Sequence, residues 1–527
     1  MTEGVTKAPM PDAPTCRARY EKLATERDPY LRRARDAARL TIPSIMPEEG
    51  VSGATDLPAP FQSCGAEGVN SLASKLQLAL LPPGGSFFRL TLDESVKAQL
   101  QGASDGDITG EIEKNLGQIE KAALNRVEQR GWRVSKFDAL KHLLVCGNVL
   151  MEMKEDESLR IHYLNNYVVK RDPVGNVLEI ITVEKIAKVA LPEKARALVI
   201  QDELNDEEFK NQEAVSVYTR VYREESSFKV YQEICGQTVP DSEGSYPLDK
   251  SPWMPLRYCK VDGQDYGRGR VEEWLGDFES LEALTQSIVE GSAAMAKILF
   301  LVDEGGLTDV KKVAEAKNCE FVEGRAKDIE VLQVQKTGDF TVAQSLRQTL
   351  ETRLKQAFLV HQQRDAERVT AEEVRAIIDE LEKALGGLYS ILAQEWQGPA
   401  VRRLLFQMQK RREIQPLDED VIEPKIITGL DALGRTADYQ KLRAFVSDIA
   451  TELGQDVVKE YIDISDYLVQ KAAALQLSIK IRSDEEVQQS RQEQAKQELL
   501  TKMGPQALKT EGDMAMASQQ SQPAPSQ

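Results

Sequence analysis

The chain has 527 residues, more than one hydrophobic core usually supports, so several domains or sub-regions are expected. Hydrophobic residues make up 41% of the sequence and charged residues 29%, which is typical of globular proteins. The formal net charge of −18 argues against a general DNA-binding protein, because such a protein usually carries a basic face or stripe. Any contact with nucleic acid is therefore expected to be local or weak.

The six cysteines are scattered along the chain: Cys16, Cys64, Cys146, Cys235, Cys259 and Cys319. None of their spacings is that of a metal site, so free thiols in a reduced cytoplasmic protein are predicted. The first residues, MTEGVTKAPMPDAP, contain acids and prolines but no apolar core, so no signal peptide is predicted. The apolar runs, such as ILFLV at 298–302, are too short to span a bilayer, and no membrane contact is predicted.

Two kinds of periodicity divide the first half of the chain. Helical spacing predicts helices over about 16–40, 61–81, 108–130 and 133–146. Between 147 and 262, short runs rich in β-branched and aromatic residues, such as VLEIITVEK and AVSVYTRVYR, predict an antiparallel meander or a β-sandwich. Within that region, residues 192–210 are more charged and are predicted to form a helix or a loop.

Helical spacing returns after residue 270. One apolar stripe follows the first helix: Leu275, Phe278, Leu281, Leu284 and Ile288. The small residues at 291–296 allow a neighbouring backbone to approach closely, and residues 301–340 carry mixed strand signals. A second stripe then recurs at every fourth residue: Leu346, Leu350, Leu354 and Phe358. The pattern predicts a small α/β insert between two helices of about 20 residues each.

A charged stretch, RDAERV at 364–369, precedes the clearest helix start in the sequence. Thr370 and Glu373 have the spacing of a capping box. In this motif the threonine hydroxyl accepts from the amide at 373, and the glutamate side chain accepts from the amide at 370. The motif predicts that a helix begins firmly at Thr370.

Leucines at spacings of three and four continue this helix to about residue 398 as a packing seam. The adjacent glycines Gly386 and Gly387 weaken the helix by roughly 1 kcal/mol each, so a bend is predicted there. Beyond Pro399, VRRLLFQMQKRR is a basic amphipathic helix with two open interpretations, namely contact with nucleic-acid phosphates and a solvated helix face. Further helices are expected to about residue 503, and 504–527 is predicted to be a disordered tail.

Catalytic signatures are missing from the sequence: it has no Gly-x-x-x-x-Gly-Lys phosphate loop, no His-Glu-x-x-His and no Gly-x-Ser-x-Gly. His142 and His162 lie in apolar surroundings and are interpreted as core histidines rather than ligands or bases. YGRGR at 266–270 could bind a phosphate at a helix N-terminus, but a plain turn is favoured. No catalytic residue, metal site or cofactor is predicted.

Three blocks, at 65–83, 265–285 and 364–395, resemble the portal, or head-to-tail connector, proteins of short-tailed bacteriophages. They read GAEGVNSLASKLQLALLPP, DYGRGRVEEWLGDFESLEALT and RDAERVTAEEVRAIIDELEKALGGLYSILAQE. The resemblance spans about residues 17–445. It implies a non-enzymatic protein of α+β, mainly helical fold that forms a homo-oligomeric ring, typically a dodecamer, at one capsid vertex.

The resemblance also implies an assignment of regions. These are a flexible N-terminus at 1–15, a wing at 16–270 (helical at 16–146 and β-rich at 147–262), stem helices at 271–300 and 341–360, a clip at 301–340, a channel loop at 361–369, a long wing helix at 370–398, a crown with C-terminal helices at 399–503, and the disordered tail at 504–527. The helix–insert–helix pattern fits the stem and the clip.

The channel loop is the part expected to face DNA. Its predicted residues are His361, Gln362, Gln363, Arg364, Asp365 and Arg368, with Thr370 and Glu373 as the helix cap and Gly386 and Gly387 as the hinge. Contact would be independent of base sequence, and an acidic ring would not grip a sliding duplex, because each neutralised phosphate adds affinity. The alternative is that Arg364, Asp365, Glu367 and Arg368 form salt bridges that fix the loop.

The implied partners are double-stranded DNA, the major capsid and scaffolding proteins, the terminase large subunit during packaging, the tail adaptor protein and internal core proteins. The implied location is the portal vertex of the virion, with the host cytoplasm during assembly. Two other functions stay open: an internal scaffold or core protein of the virion, and an enzyme such as a nuclease or packaging ATPase subunit. The second of these needs a phosphate loop or a carboxylate metal cluster, and neither is evident in the sequence.

Overall fold

The structure is a computed structural model of the chain. It describes residues 15–48, 50–51, 54–82, 86–92, 106–203, 213–295, 299–303, 305–332, 337–360, 385, 387–415, 422–426, 446–449 and 451. The chain divides into two units, Met1–Ala432 and Leu433–Gln527. In the second unit the described residues, 446–449 and 451, are helical.

Helices make up most of the first unit outside the β-rich region. They are α1 (Cys16–Arg39), α2 (Cys64–Leu80), α3 (Gly106–Gln129), α4 (Trp132–Cys146), α5 (Glu193–Glu203), α6 (Arg270–Glu273), α7 (Leu275–Met295), α8 (Val310–Glu315), α9 (Thr337–Ala357), α10 (Gly387–Leu392) and α11 (Gly398–Lys410). The helices predicted over 16–40, 61–81, 108–130 and 133–146 are confirmed, and the charged segment at 192–210 contains α5.

Every strand of the described ranges pairs in an antiparallel manner. The strands are β1 (Phe88–Leu92), β2 (Asn148–Met153), β3 (Leu159–His162), β4 (Tyr167–Arg171), β5 (Val177–Ala187), β6 (Ala214–Glu224), β7 (Ser227–Ile234), β8 (Gln237–Thr238), β9 (Gly244–Pro247), β10 (Trp253–Arg257), β11 (Leu299–Val302), β12 (Ile329–Leu332) and β13 (Ile422–Ile426). Helices with antiparallel sheets make an α+β fold, as predicted.

The β-rich region contains two sheets. One has six strands in the order β4-β5-β6-β7-β8, with β9 added to β7, and the other has three in the order β10-β2-β3. Burial alternates along β6, where Val215, Val217 and Val221 are buried between less buried neighbours. This alternation is the pattern of a sheet with one face on the core. The antiparallel β structure predicted for 147–262 is confirmed.

Helix α1 docks against the six-stranded sheet. The Ala18 amide donates to Thr15 Oγ1 at 3.2 Å and caps the helix start. Leu23 packs with Val168 and Ile181 of the sheet, and all three are buried. Arg27 is buried beside them, and its Nη1 donates to the Tyr167 carbonyl at 2.9 Å. A buried guanidinium with a carbonyl partner fixes the helix on the sheet without leaving its charge unsolvated.

The predicted helix–insert–helix unit is present as α7, an insert and α9. Strands β11 and β12 pair and close the insert. A Cβ added at Gly291 of α7 would overlap the Phe340 ring of α9, so the small residue allows close approach, as predicted. Phe278 and Leu354 are buried, whereas Leu346, nearer the insert, is 50% exposed. The apolar side chains of the two helices are therefore more exposed toward the insert.

The chain does not leave the helix at Gly398, where the sequence predicts an end. Helix α10 continues through one π-helical turn, Ala393–Gln397, into α11. Proline has no amide hydrogen and its ring crowds the carbonyl four residues earlier, so Pro399 disturbs the ladder near Glu395. The wide turn absorbs this disturbance, since the Gly398 amide donates to the Ala393 carbonyl, and the helix goes on.

Three glycines allow two backbone segments to touch where β2 begins. Gly147 has a φ of 74°, and a Cβ there would lie 2.5 Å from the Arg268 carbonyl carbon. Added Cβ atoms at Gly267 and Gly269 would each lie 2.7 Å from a backbone oxygen. Asn148 completes the junction, because its Oδ1 accepts from the Gly267 amide at 2.7 Å and its Nδ2 donates to the Gly267 carbonyl at 2.8 Å. The junction fixes the start of α6 against the end of α4.

Gly147→Ala is expected to destabilise the protein far more than Gly131→Ala. Both glycines have a left-handed φ, 74° and 64°, but nothing lies within 4 Å of a Cβ at Gly131. The control should lose only the conformational cost, about 1–2 kcal/mol, while Gly147→Ala adds a clash with backbone. Chemical denaturation measures both, and equal losses would contradict the close approach.

His142 is expected to make stability fall on acidification. Its ring is buried and stacks on Tyr163 at 4.4 Å, and burial lowers its pKa from 6.5 to about 4. Below pH 6.5 the unfolded chain binds a proton that the folded chain refuses until about pH 4, so stability is lost across that window, roughly 3 kcal/mol in total.

His142→Phe keeps the stacked ring and should flatten the pH dependence between pH 6.5 and 4 relative to the unaltered protein. Tyr163→Phe is the control, since it keeps both the stack and the titrating ring and should retain the slope. Denaturation curves recorded across this range measure the effect, and parallel slopes for all three proteins would count against it.

Candidate functional site

The predicted channel loop and helix cap fall on a part of the chain that the structure does not describe. Outside the described residues lie His361, Gln362, Gln363, Arg364, Asp365, Arg368, Thr370, Glu373 and Gly386. Gly387 is described and is the first residue of α10. The described geometry around the site is therefore that of the residues before and after segment 361–384.

The first end is held by Phe358 and Leu359, which we call the outgoing anchor. The Phe358 amide donates to the Leu354 carbonyl at 3.0 Å and closes α9. Leu359 then adopts a left-handed φ of 55°, which turns the chain out of the helix. The Phe358 ring is buried and meets the Phe278 ring edge-on at 5.5 Å. Burial of this ring fixes where the chain leaves the helix pair.

Helices α2 and α6 complete the outgoing anchor. A Cβ at Gly68 of α2 would lie 3.1 Å from Phe358, so glycine allows α2 to approach the ring closely. Lys75 Nζ, also on α2, donates to the Leu359 carbonyl at 2.7 Å. Arg270 of α6 donates from Nη2 to the Ala357 carbonyl at 3.1 Å. The carbonyl of Ala357, the last residue of α9, and that of Leu359 just beyond it thus accept from cationic side chains. Positive charge is favourable at this negatively charged end of a helix.

The helix that follows the segment is held by Glu395, Trp396 and Gln397 in the π-helical turn, about ten residues beyond Leu385, and we call these three residues the returning anchor. Glu395 accepts from the Arg257 amide at 2.8 Å and from Arg257 Nε at 2.9 Å, and it contacts Arg257 Nη2. Arg171 Nη1 lies 3.8 Å from the same carboxylate. The two arginine side chains are each 4% exposed and that of Glu395 is 14% exposed. The ion cluster is therefore largely withdrawn from water.

Arg171 is held from several directions besides Glu395. Its Nη2 donates to the Pro255 carbonyl at 2.8 Å and its Nε to the Asp265 carbonyl at 3.1 Å. Burial lowers the pKa of Arg171, and the charge of Glu395 opposes that effect. Asp265 in turn accepts from the Arg171 amide at 2.7 Å. The charge of the cluster is thus compensated by both carboxylates and carbonyls.

Trp396 and Gln397 attach the returning anchor to α4 and α2. Trp396 is fully buried, and Lys136 Nζ lies 3.5 Å from the centre of its ring. Lys136 is itself fully buried, and burial lowers its pKa well below the ordinary value. Gln397 Nε2 donates to the Leu80 carbonyl at the end of α2, at 3.0 Å. Helix α2 therefore contacts both anchors.

The three sequence blocks that carry the resemblance converge on the two anchors. The block at 65–83 supplies α2, with Gly68 and Lys75 at one anchor and Leu80 at the other. The block at 265–285 supplies contacts to Arg171, Ala357 and Phe358. The block at 364–395 ends at Glu395. Residues far apart in the sequence thus meet where segment 361–384 begins and on the helix that follows it.

YGRGR forms a packed turn, the favoured one of its two interpretations. Its glycines touch backbone, as described above. Arg268 Nη1 lies 3.2 Å from Glu272 and Arg270 Nη1 lies 2.6 Å from Glu273, so both guanidinium groups have protein partners. The second half of the segment therefore serves the outgoing anchor through Arg270.

The basic helix α11 matches neither of its two interpretations fully. Arg403 is buried against the rings of Tyr246 and Phe406, at 5.0 and 5.6 Å from their centres. Arg411, just after the helix, lies 3.0 Å from the fully buried Glu157. Part of the positive charge is thus directed into the protein, and Arg402 is among the residues of the helix that stay exposed.

Glu395, Arg171 and Arg257 are functional candidates that the sequence did not single out. Glu395 lies in the third block, but its partners belong to strands whose charged residues look like ordinary solvent-facing ones. A weak signal was available, because Arg257 ends an apolar run, WMPL, in which a charge is unusual. His162 is buried as expected, yet its Nε2 lies 2.8 Å from Glu152 Oε2.

No helix in the described ranges is long and apolar enough to cross a bilayer.

Residues 13–479 match the model of a family described as bacteriophage head to tail connecting protein. The chain is 42% identical over 437 residues to the portal protein of Escherichia phage T7, covering 81% of this chain and 80% of that protein. It is 42% identical over 439 residues to that of Enterobacteria phage T3 (82% and 81%) and 29% identical over 494 residues to that of Enterobacteria phage SP6 (92% and 93%). These matches confirm the resemblance that the three blocks indicated.

Glu395→Gln is expected to lower the free energy of unfolding by about 3–5 kcal/mol, because two buried guanidinium groups lose their counter-charge. The matched control is Glu21→Gln, which breaks an exposed ion pair with Arg17 (71% and 61% exposed) and should cost at most about 1 kcal/mol. Denaturation of the purified variants measures both. A loss at Glu395 no larger than at Glu21 would refute the cluster's importance.

Proposed function

Because the chain belongs to the family of bacteriophage head-to-tail connecting proteins, we propose that it is a structural portal protein. In this proposal, copies of the chain form a dodecameric ring at one capsid vertex, and double-stranded DNA passes through its channel during packaging and ejection. The observation that carries the proposal is the match of residues 13–479 to that family, and the convergence of the three blocks on the two anchors supports it.

The exposed apolar side chains of the helix–insert–helix unit support ring formation. Val342 is 70% and Leu346 50% exposed on α9, and Val289 is 50% exposed on α7. In the insert, Leu307 is 80% exposed and Phe321 is fully exposed. We take these side chains, which all belong to the helix–insert–helix unit, as a surface for contact with another copy of the chain. Neighbouring subunits would cover them if α7 and α9 form a stem and the insert forms a clip.

The remaining regions follow from that placement. The helices and sheets of 16–270 would form the wing, 370–398 the long wing helix and 399–503 the crown. The loop at 361–369 would project into the channel, with Gly386 and Gly387 as the hinge behind it. Because the chain carries a net charge of −18, the ring would be largely acidic, and only local basic groups would contact the phosphates.

The partners would be those of a portal vertex. The clip would meet the terminase large subunit during packaging and the tail adaptor afterwards, and the wing would contact the major capsid, scaffolding and internal core proteins. The protein would lie in the virion, after assembly in the host cytoplasm, and would have no enzymatic activity of its own. The relatives named above are all portal proteins, which favours this proposal over an internal core protein or a packaging enzyme subunit.

The double variant Arg364→Glu, Arg368→Glu is expected to leave ring assembly intact while DNA packaged and retained in heads falls several-fold. Reversal of both charges repels phosphates at the channel wall. Electron microscopy of the purified protein counts rings, and nuclease protection of assembled heads measures DNA. The control is Lys22→Glu, Arg32→Glu, which makes the same charge change on the exposed face of α1.

Two results would count against the proposal in different ways. Heads that fill and hold DNA normally with the Arg364, Arg368 variant would refute the DNA-facing role of the loop. Unaltered protein that stays monomeric under all conditions would refute the portal ring itself.

A further inference from the structure

Three side chains from three different strands meet beside β3. Glu152 lies on β2, His162 on β3 and Glu184 on β5. His162 is 3% exposed, its Nε2 lies 2.8 Å from Glu152 Oε2 and its Nδ1 lies 3.9 Å from Glu184 Oε1. One ligand atom from each residue fits within 4.8 Å of the others. An imidazole between two carboxylates is a donor set used for divalent metal ions.

The hydrogen bond with Glu152 determines which nitrogen of the His162 ring carries the proton. Glu152 Oε2 lies 2.8 Å from His162 Nε2, and a carboxylate without a proton can only accept a hydrogen bond. Glu152 is therefore an acceptor, and Nε2 donates to it. In the neutral ring the lone pair then belongs to Nδ1, on the side of Glu184. A carboxylate on the far nitrogen is the arrangement that orients a metal-binding histidine.

The distance from Nδ1 to Glu184 Oε1 suits two ligands of one ion. Two atoms at about 2.1 Å from a tetrahedral zinc ion are separated by about 3.4 Å. The observed separation is 3.9 Å, so closure needs a movement of about half an ångström, within the reach of a glutamate rotamer. The 2.8 Å contact with Glu152 is by comparison a normal hydrogen bond and too short for a ligand pair.

An open groove gives access to these groups. His162 and Glu184 line it together with Arg160 and Lys185, and its volume is 730 Å³. A hydrated cation can enter such a groove and keep water molecules as its remaining ligands. Imidazole with carboxylate favours zinc-class ions over Mg²⁺ and Ca²⁺, which prefer oxygen ligands alone.

Arg160 competes for the same carboxylate. Its Nη1 lies 2.7 Å from Glu184 Oε1, and its side chain is 40% exposed. A side chain with this exposure can turn into water when a cation takes its place. Without a metal, the arginine neutralises Glu184, so the groups are stable in both states.

We propose that His162 Nδ1 and the Glu184 carboxylate bind a divalent transition-metal ion of the zinc class, with Glu152 positioning the imidazole. The ion would join β3, in the three-stranded sheet, to β5, in the six-stranded sheet. It would therefore act as a structural link between the two sheets. This inference does not depend on the proposed portal function.

Zinc binding to the purified full-length protein tests the proposal, by titration against a chromophoric chelator and by melting temperature. All proteins carry Cys319→Ser, because that free thiol is exposed and binds zinc on its own. One site per subunit is expected, with a rise in melting temperature, and His162→Gln and Glu184→Gln should abolish both. Glu152→Ala should weaken binding roughly 10–100-fold, and Arg160→Met should tighten it.

Two results would overturn the proposal. The first is equal zinc binding by the Cys319→Ser protein, which is the reference, and by the same protein with His162→Gln, when the circular dichroism of the two is the same. The second needs no variant at these positions: the reference protein titrated with Co²⁺ should show the intense visible bands of a four-coordinate ion, and their absence rules the site out. Tighter zinc binding by Arg160→Met would show that Glu184 binds the ion. If the Arg160–Glu184 pair only held the strands together, its loss would destabilise the protein without raising zinc affinity.

Discussion

The buried pairing of Glu395 with Arg257 and Arg171 constrains the rest of the molecule. An ionised carboxylate withdrawn from water is tolerated only where cations and hydrogen-bond donors replace the solvent. Since Arg257 supplies its amide as well as its guanidinium, the helix that carries Glu395 has one position relative to β10. Arg171 then extends the constraint through Asp265 to the start of α6. The charge cluster thus sets the place of a helix on a sheet far from it in the sequence.

The apolar contacts at the two anchors depend on the positions that the charge cluster sets. Trp396 fills the space between the π-helical turn and α4, and Phe358 fills the space between α9, α7 and α2. A side chain at Gly68 would crowd the Phe358 ring, and a break at Pro399 would disturb the turn that places Trp396. Local rules are broken by Pro399, which lies inside a continuous helix, and by Lys136 at Trp396, whose buried Nζ has no hydrogen-bond partner. Both lie at the returning anchor, where packing outweighs local preference.

Much of the fold could be predicted from the sequence because its signals are local. Thr15 and the apolar spacing of α1 specify that helix within one residue at its end, and the alternation along β6 specifies a strand. The cluster at Glu395 could not be predicted, because its Arg257 partner is 138 residues away and sequence spacing carries no information about such a meeting. The helix end at Gly398 was wrongly placed for a related reason, since sequence spacing does not show that a π-helical turn carries the helix past Pro399. The channel loop itself stays a prediction.

Helix α2 touches both anchors, and this has a mechanical consequence. Tension applied to segment 361–384 would pull on the end of α9 at Phe358 and on the π-helical turn at Gln397. Both pulls would be resisted by one helix, through Gly68 and Lys75 near one point and Leu80 near the other. Both pulls would therefore be transmitted to the same helix, and their sum would load α2. In the proposed portal ring, a duplex that tugs the segment would thus load one helix, and α2 would pass the force on to the rest of the chain.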